Sequence, residues 1–218
     1  MTVLELSNIS YIVKDKSIIS DVSLSVNQGD YITIVGPSGS GKSTLLKLCS
    51  DLISPTSGTI TYNGRPLTAI DPESYRKEVG YCFQRPYLFA KTVHRNILFP
   101  YDIRGLKPDM SRIEYLFDLL HMPLNYMERR NDELSGGEMQ RICLIRSLIF
   151  EPKVLLLDEV TSALDATNTS IVENVIDELY KKGITIISIT HNEEQSLRTA
   201  NRRITIVDGQ LAKEEVLR

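Results

Sequence analysis

The chain has 218 residues, 42% of them hydrophobic and 24% charged, and a formal net charge of −3. That length holds one large α/β unit, or a core with a lobe, and buries enough surface to be stable without disulfide or metal staples. The composition excludes a collagen-like or low-complexity chain, no apolar run approaches the ~18 residues that cross a bilayer, and the acidic balance argues against nucleic acid as a partner, because phosphate backbones select basic surfaces.

The opening MTVLEL carries a carboxylate where a secretory leader would be basic and then apolar, so a cytoplasmic location is expected. Alternating runs at 4–9 and 22–26 read as an antiparallel β portion ahead of YITIV at 31–35, a charge-free β-branched run that fits a buried parallel strand. Helical apolar spacing follows at 43–49. Thr59 to Tyr62 with Asn63-Gly64 signals a hairpin, and Asp71 before Pro72 signals a helix N-cap with proline at the first helical position. From 85 to 152 the character is helical, with segments at 111–120 and 137–150. Strand–helix alternation returns at 154–157, 171–179, 184–189 and 204–207 before the turn Asp208-Gly209, which implies a parallel sheet. The expected fold class is therefore α/β, as one domain over 1–218. Residues 1–84 and 153–218 form a core with an antiparallel β part, and 85–152 form an inserted helical lobe.

Cys49, Cys82 and Cys143 are odd in number and lack C-x-x-C spacing, so buried reduced thiols are expected. Arg129-Arg130, Lys181-Lys182 and Arg202-Arg203 read as solvated faces.

The chemistry begins with GPSGSGKS at 36–43, which fits G-x-x-x-x-G-K-[ST]. Gly36, Gly39 and Gly41 let successive N–H groups curl around phosphate oxygens, Lys42 neutralises β/γ charge, and the Ser43 hydroxyl reaches Mg²⁺. The order strand, glycine loop, helix also aims a positive helix end at the phosphates. Such a P-loop binds a nucleoside triphosphate. A second glycine pair, LSGGE at 134–138, opens the next helical run. Ser135, Gly136 and Gly137 can make a second phosphate site at a helix N-terminus, or a plain capping box with Glu138; the two are compatible. KVLLLDE at 153–159 is an apolar strand ending in two carboxylates at the edge where a parallel sheet presents ligands. Asp158 suits Mg²⁺, and Glu159 suits an attacking water.

Six elements in order give the chain a resemblance to ATP-binding-cassette (ABC) ATPases over essentially its whole length. They are the P-loop, Gln84 after VGYCF, the signature LSGGEMQ at 134–140, the strand ending in Asp158 and Glu159, the loop SALD ending in Asp165, and His191 after IISIT. The resemblance implies ATP and Mg²⁺ as cofactors. Gly36, Ser38, Gly39, Ser40, Gly41, Lys42, Ser43 and Thr44 would bind phosphate. Ser43, Gln84 and Asp158 would serve the metal, Glu159 would be the base, and His191 would contact the γ-phosphate. Ser135, Gly136, Gly137 and Asp165 would close over ATP held by a second copy, so that two chains form a head-to-tail sandwich.

The family's usual adenine-stacking position falls at Val13; Tyr11, on the same face by period two, is the stacking candidate, with ordinary strand packing the alternative. The aromatics Tyr81, Phe83, Tyr87, Phe89, Phe99 and Tyr101 crowd 81–101 and suit either a surface for a separate integral-membrane permease or the lobe's own core. The wording at 52–58, 81–89 and 96–104 is similar to the bacterial FetA-like branch of iron-export ATPases. A soluble ABC ATPase of translation or DNA repair, and an importer ATPase for another substrate, are the alternatives. On the leading reading the chain lies at the inner face of the cell membrane through its permease.

Overall fold

The computed structural model describes residues 1–190, 197 and 199–217. Its antiparallel part is built on two long strands, β1 (Thr2–Val13) and β2 (Lys16–Asn27), longer than the runs expected at 4–9 and 22–26. They turn through Lys14 and Asp15 at φ 45° and 65°, the left-handed pair that a two-residue hairpin loop needs, supplied here without glycine. β4 (Ser57–Tyr62) and β5 (Arg65–Pro66) make the second hairpin across Asn63 and Gly64, also at positive φ, and the sheet order is β2-β1-β4-β5.

The second sheet runs β10-β9-β3-β8-β7-β6. In it β3 (Tyr31–Val35), β6 (Val79–Cys82), β7 (Val154–Asp158), β8 (Thr185–Ile189) and β9 (Arg202–Val207) are parallel, and only β10 (Gln210–Val216) runs antiparallel to its neighbour. β7 is buried along its whole length because both of its faces are covered. Val154 and Leu156 join β1, β2, β4 and helix α1 (Lys42–Cys49) in one core. Leu155 and Leu157 join the other core, with α3 (Val93–Asp102), α4 (Met110–Leu119), α5 (Gly136–Leu148) and α6 (Ala166–Lys181). The sheet thus separates two apolar layers. The helices of 85–152 do not keep a core apart from it.

Helix α2 (Pro72–Glu78) starts as its residues require, with Asp71 accepting from the Ser74 N–H at 2.8 Å and proline in the first turn. Cys49, Cys82 and Cys143 are all buried and free. Arg202 departs from expectation. Rather than facing solvent, it has 13% of its side chain exposed and is paired with Asp30 and Glu214. Burial of the start of β9 beside β2 and β10 requires those counter-charges, because an unpaired buried guanidinium is costly. The aromatic group divides. Tyr101 is core, Tyr81 is half-buried, and Phe83, Tyr87, Phe89 and Phe99 are exposed.

Candidate active site

The loop between β3 and α1 is held by its glycines. Gly36 lies at φ 141° with an added Cβ only 2.0 Å from the Ile206 carbonyl oxygen, and Gly41 lies at φ 102° with one 2.8 Å from the Ile18 carbonyl oxygen. The loop is thus pressed between β9 and β2, and no side chain fits at either point. Gly39, at φ 76°, faces open space. Lys42 is 4% exposed, and its ammonium donates to the carbonyls of Gly36 at 2.9 Å and Pro37 at 2.8 Å. Burial pulls its pKa below the ordinary lysine range, against the opposing pull of Glu159 and Asp158.

The two carboxylates at the end of β7 separate because the chain turns there. Asp158 still belongs to the strand and is 4% exposed; it accepts from Ser43 Oγ at 2.8 Å and from the Tyr81 hydroxyl at 2.7 Å. Glu159 takes φ 49°, which swings its carboxylate out to the cleft, where Gln84 Nε2 donates to it at 2.6 Å. A cleft of about 260 Å³ is bounded by Ser38, Gly39 and Gly41 of the loop, Lys42, Ser43 and Thr44 of the first helical turn, Gln84, Glu159, and Ile18 of β2. Ser40 Oγ is buried with no partner among the described residues. An open glycine arc, the Lys42 ammonium and the N–H groups of a helix's first turn form a polyphosphate cradle. Mg²⁺ fits as well. It takes one or two carboxylates plus substrate phosphates, and Ser43 with Asp158 supplies an oxygen set of that kind.

The remaining candidates lie elsewhere. Tyr11 is half-buried against the core of the antiparallel sheet and does not border the cleft; Ile18, which sequence reasoning passed over, does. The register of β1 against β2 shifts on both sides of Tyr11, where β2 carries the extra residues. Ser135 caps α5 in a reciprocal box with Glu138, at 3.3 and 2.7 Å, and is exposed with Gly136 outside the cleft. Asp165 caps α6, accepting from the Asn168 N–H at 2.8 Å. Asn168 is a further unanticipated residue, since a Cβ on Gly137 would meet its side-chain nitrogen at 2.9 Å. His191, two residues beyond the end of β8, lies outside the described residues.

Behind Gln84 lies a groove of about 350 Å³ walled by Tyr81, Phe83, Tyr87, Phe89 and Phe99. Arg76, Lys77, Arg85, Arg104 and Arg146 also line it, with no carboxylate among the lining residues. Arg104 stacks on Phe150 at 4.2 Å and Arg146 on Phe89 at 5.1 Å; both are half-buried.

A P-loop on a parallel sheet, with an acidic strand end beside it and an antiparallel sheet in front, defines a nucleoside-triphosphate hydrolase of the cassette type. Residues 19–162 match the family described as ABC transporter. The chain is 42% identical to the Probable iron export ATP-binding protein FetA of Escherichia coli K12, over 93% of this chain and 90% of that protein. It is 39% identical to the lipoprotein-releasing system ATP-binding protein LolD 1 of Chlorobium chlorochromatii, over 93% and 85%. A dimeric, post-hydrolysis ATP-binding cassette bound to ADP and Pi superposes with a TM-score of 0.89 at 26% identity, covering 99% of each chain. The chain belongs to the ABC transporter family as its ATP-binding, ATP-hydrolysing subunit.

Proposed function

We propose that two copies of this chain close head to tail around two Mg–ATP and drive a separate permease that exports a metal ion. One observation carries the sandwich: the P-loop cleft gathers groups for phosphate, metal and water, while Ser135 and Gly136 stand exposed outside it. The N–H groups at the start of α5 are then free for the γ-phosphate of a facing copy.

Within one site the roles follow from position. Lys42 releases the loop carbonyls for the β- and γ-phosphates, and Ser43 with Asp158 holds Mg²⁺. When bound, the ion neutralises charge developing on the phosphate oxygens. Glu159 accepts the proton of the attacking water, and Gln84 holds its carboxylate until water and phosphate arrive. Gln84 would also serve the metal, and His191 would hold the γ-phosphate. Ile18 offers an aliphatic face for the nucleotide.

The groove behind Gln84 is the docking place for the permease, over 81–104. Its aromatic walls supply rigid contact area, and its cations favour a segment that brings carboxylates. On this reading the chain lies peripherally at the inner membrane face. Among the described residues no helix is long and apolar enough to cross a membrane. Metal export rests on the likeness to the E. coli protein, and the permease selects the cargo.

Glu159→Gln tests the sandwich. It should lower hydrolysis by about 100-fold or more, the loss typical of a missing general base, while ATP converts the protein from monomer to dimer in light scattering. A variant that stays monomeric in saturating Mg–ATP would count against it. Cellular iron that is unchanged when the chain and its permease are overproduced would count against the cargo alone.

A further inference from the structure

The stretch from β6 into the following loop meets both carboxylates at the end of β7. Gln84 donates to Glu159, and three residues earlier the Tyr81 hydroxyl donates to Asp158 Oδ2 at 2.7 Å. The second contact follows from register. Tyr81 pairs with Leu156, and Asp158, two residues on, shares the Leu156 face, so a tyrosine reaches it along the diagonal of the parallel pair. Ser43 meets the other oxygen, Oδ1, from α1 on the same face at 2.8 Å. A carboxylate torsion is broad when nothing fixes it. Here a phenol on one oxygen and a hydroxyl on the other set its plane.

We propose that Tyr81 is a positioning residue for the metal site: its hydroxyl fixes the Asp158 carboxylate by Oδ2, leaving Oδ1, the oxygen facing Ser43, for the metal. Burial and the adjacent carboxylate raise the phenol's pKa, so Tyr81 remains a donor throughout the neutral range. Its ring leans edge-on against Phe83 at 4.7 Å and walls the aromatic groove, so the residue has the groove on one side and the metal carboxylate on the other. Carboxylates that bind metal generally need such a partner to hold them in place.

The inference rests on the reading that Mg²⁺ binds at Ser43 and Asp158, and Tyr81→Phe separates the two. The measurement is ATP binding to the full chain by calorimetry, in EDTA and across a Mg²⁺ titration. Wild type should bind ATP more tightly with Mg²⁺. Tyr81→Phe should keep the EDTA affinity and need about tenfold more Mg²⁺ for half of the gain, the usual effect of losing a partner of a metal ligand. Placing 4-aminophenylalanine at 81, which keeps the ring and a neutral donor, should restore the wild-type Mg²⁺ requirement. A Tyr81→Phe protein with an unchanged Mg²⁺ requirement would overturn the inference and leave the metal reading standing. Equal weakening of ATP binding with and without Mg²⁺ would mark a merely structural role and overturn it too. Wild-type binding indifferent to Mg²⁺ would overturn the metal reading and this inference together.

Discussion

At the scale of single residues, Glu159 is the costly choice. A glutamate at φ 49° sits where glycine is at ease, at roughly 1 kcal/mol of strain. Ser162 holds the turn by donating from its N–H at 3.0 Å and its Oγ at 2.9 Å to the Glu159 carbonyl. The strain places the carboxylate beside Gln84 rather than in the sheet. Glu159→Gly is therefore expected to abolish hydrolysis yet raise the thermal midpoint by about 1–3 °C, read by calorimetry. The loop glycines should behave in the opposite sense. Gly36→Ala drives a Cβ into the Ile206 carbonyl, and overpacking of that kind costs about 1–3 kcal/mol or more, a fall of at least about 2 °C. Gly39→Ala meets no atom and should lose only the cost of a positive φ, about 1 kcal/mol. The P-loop and its acidic strand are legible in the sequence because their chemistry is local to a few adjacent residues. Ile18, Tyr81 and Asn168 are not, because each reaches its place through strand register or helix packing that no short motif encodes.

Among the elements, α5 ties the signature to the glutamine loop. Ser135 and Glu138 fix its first turn. From its middle, Gln140 Nε2 donates to the Phe83 carbonyl at 3.3 Å and Arg146 donates to the Tyr87 carbonyl at 3.0 Å, gripping the backbone on either side of Gln84. Movement at one end of α5 is thereby felt at the other. Gln140 is 3% exposed, so Gln140→Met keeps the volume and removes the amide, the donor to Phe83 with it. The expected loss is about fivefold in ATP turnover, the equivalent of one hydrogen bond of ~1 kcal/mol, with faster amide exchange over 83–87 and unchanged ATP affinity. Unchanged exchange there would show that α5 does not restrain the loop. Helix α6 starts at Ala166, well before the run expected from 171, whereas α4 and α5 follow from apolar spacing, close to their observed ends. α3 does not, because Pro100 reads as a breaker; its start is set by Thr92, which accepts from the Arg95 N–H, and by buried Asn96, which donates to Ala90 and Thr92 carbonyls. β10 is hidden for another reason. It is a charged edge strand whose carboxylates answer Arg202 and Arg203, so it lacks the apolar alternation by which strands are recognised.

For the whole molecule, the six-stranded sheet stands between two layers with different tasks. One carries the P-loop and α1, and the other carries the helices that build the aromatic groove. β6 and Gln84 run along the boundary, so a partner seated in the groove presses on the segment that holds Asp158 and Glu159. On the docking proposed above, the groove's charge selects a partner segment that brings carboxylates. Arg104 and Arg146 are half-buried, stack on rings and donate to carbonyls, and no ion pair satisfies them among the described residues. A guanidinium partly stripped of water gains most from a carboxylate brought by another chain. Attraction between such charges weakens as salt shortens its range. Binding of the chain to its purified permease in detergent should therefore weaken about tenfold between low and high salt, a shift typical of charge-assisted association. Lys77→Glu, at the exposed rim and away from the cleft, should weaken the complex at low salt and leave the isolated chain's ATP turnover unchanged. Tyr87→Ala, which removes the most exposed ring of the group, should weaken the complex at every salt concentration. A complex indifferent to salt and to Lys77→Glu but lost in Tyr87→Ala would make the contact apolar. A complex indifferent to all three would place the permease on another face.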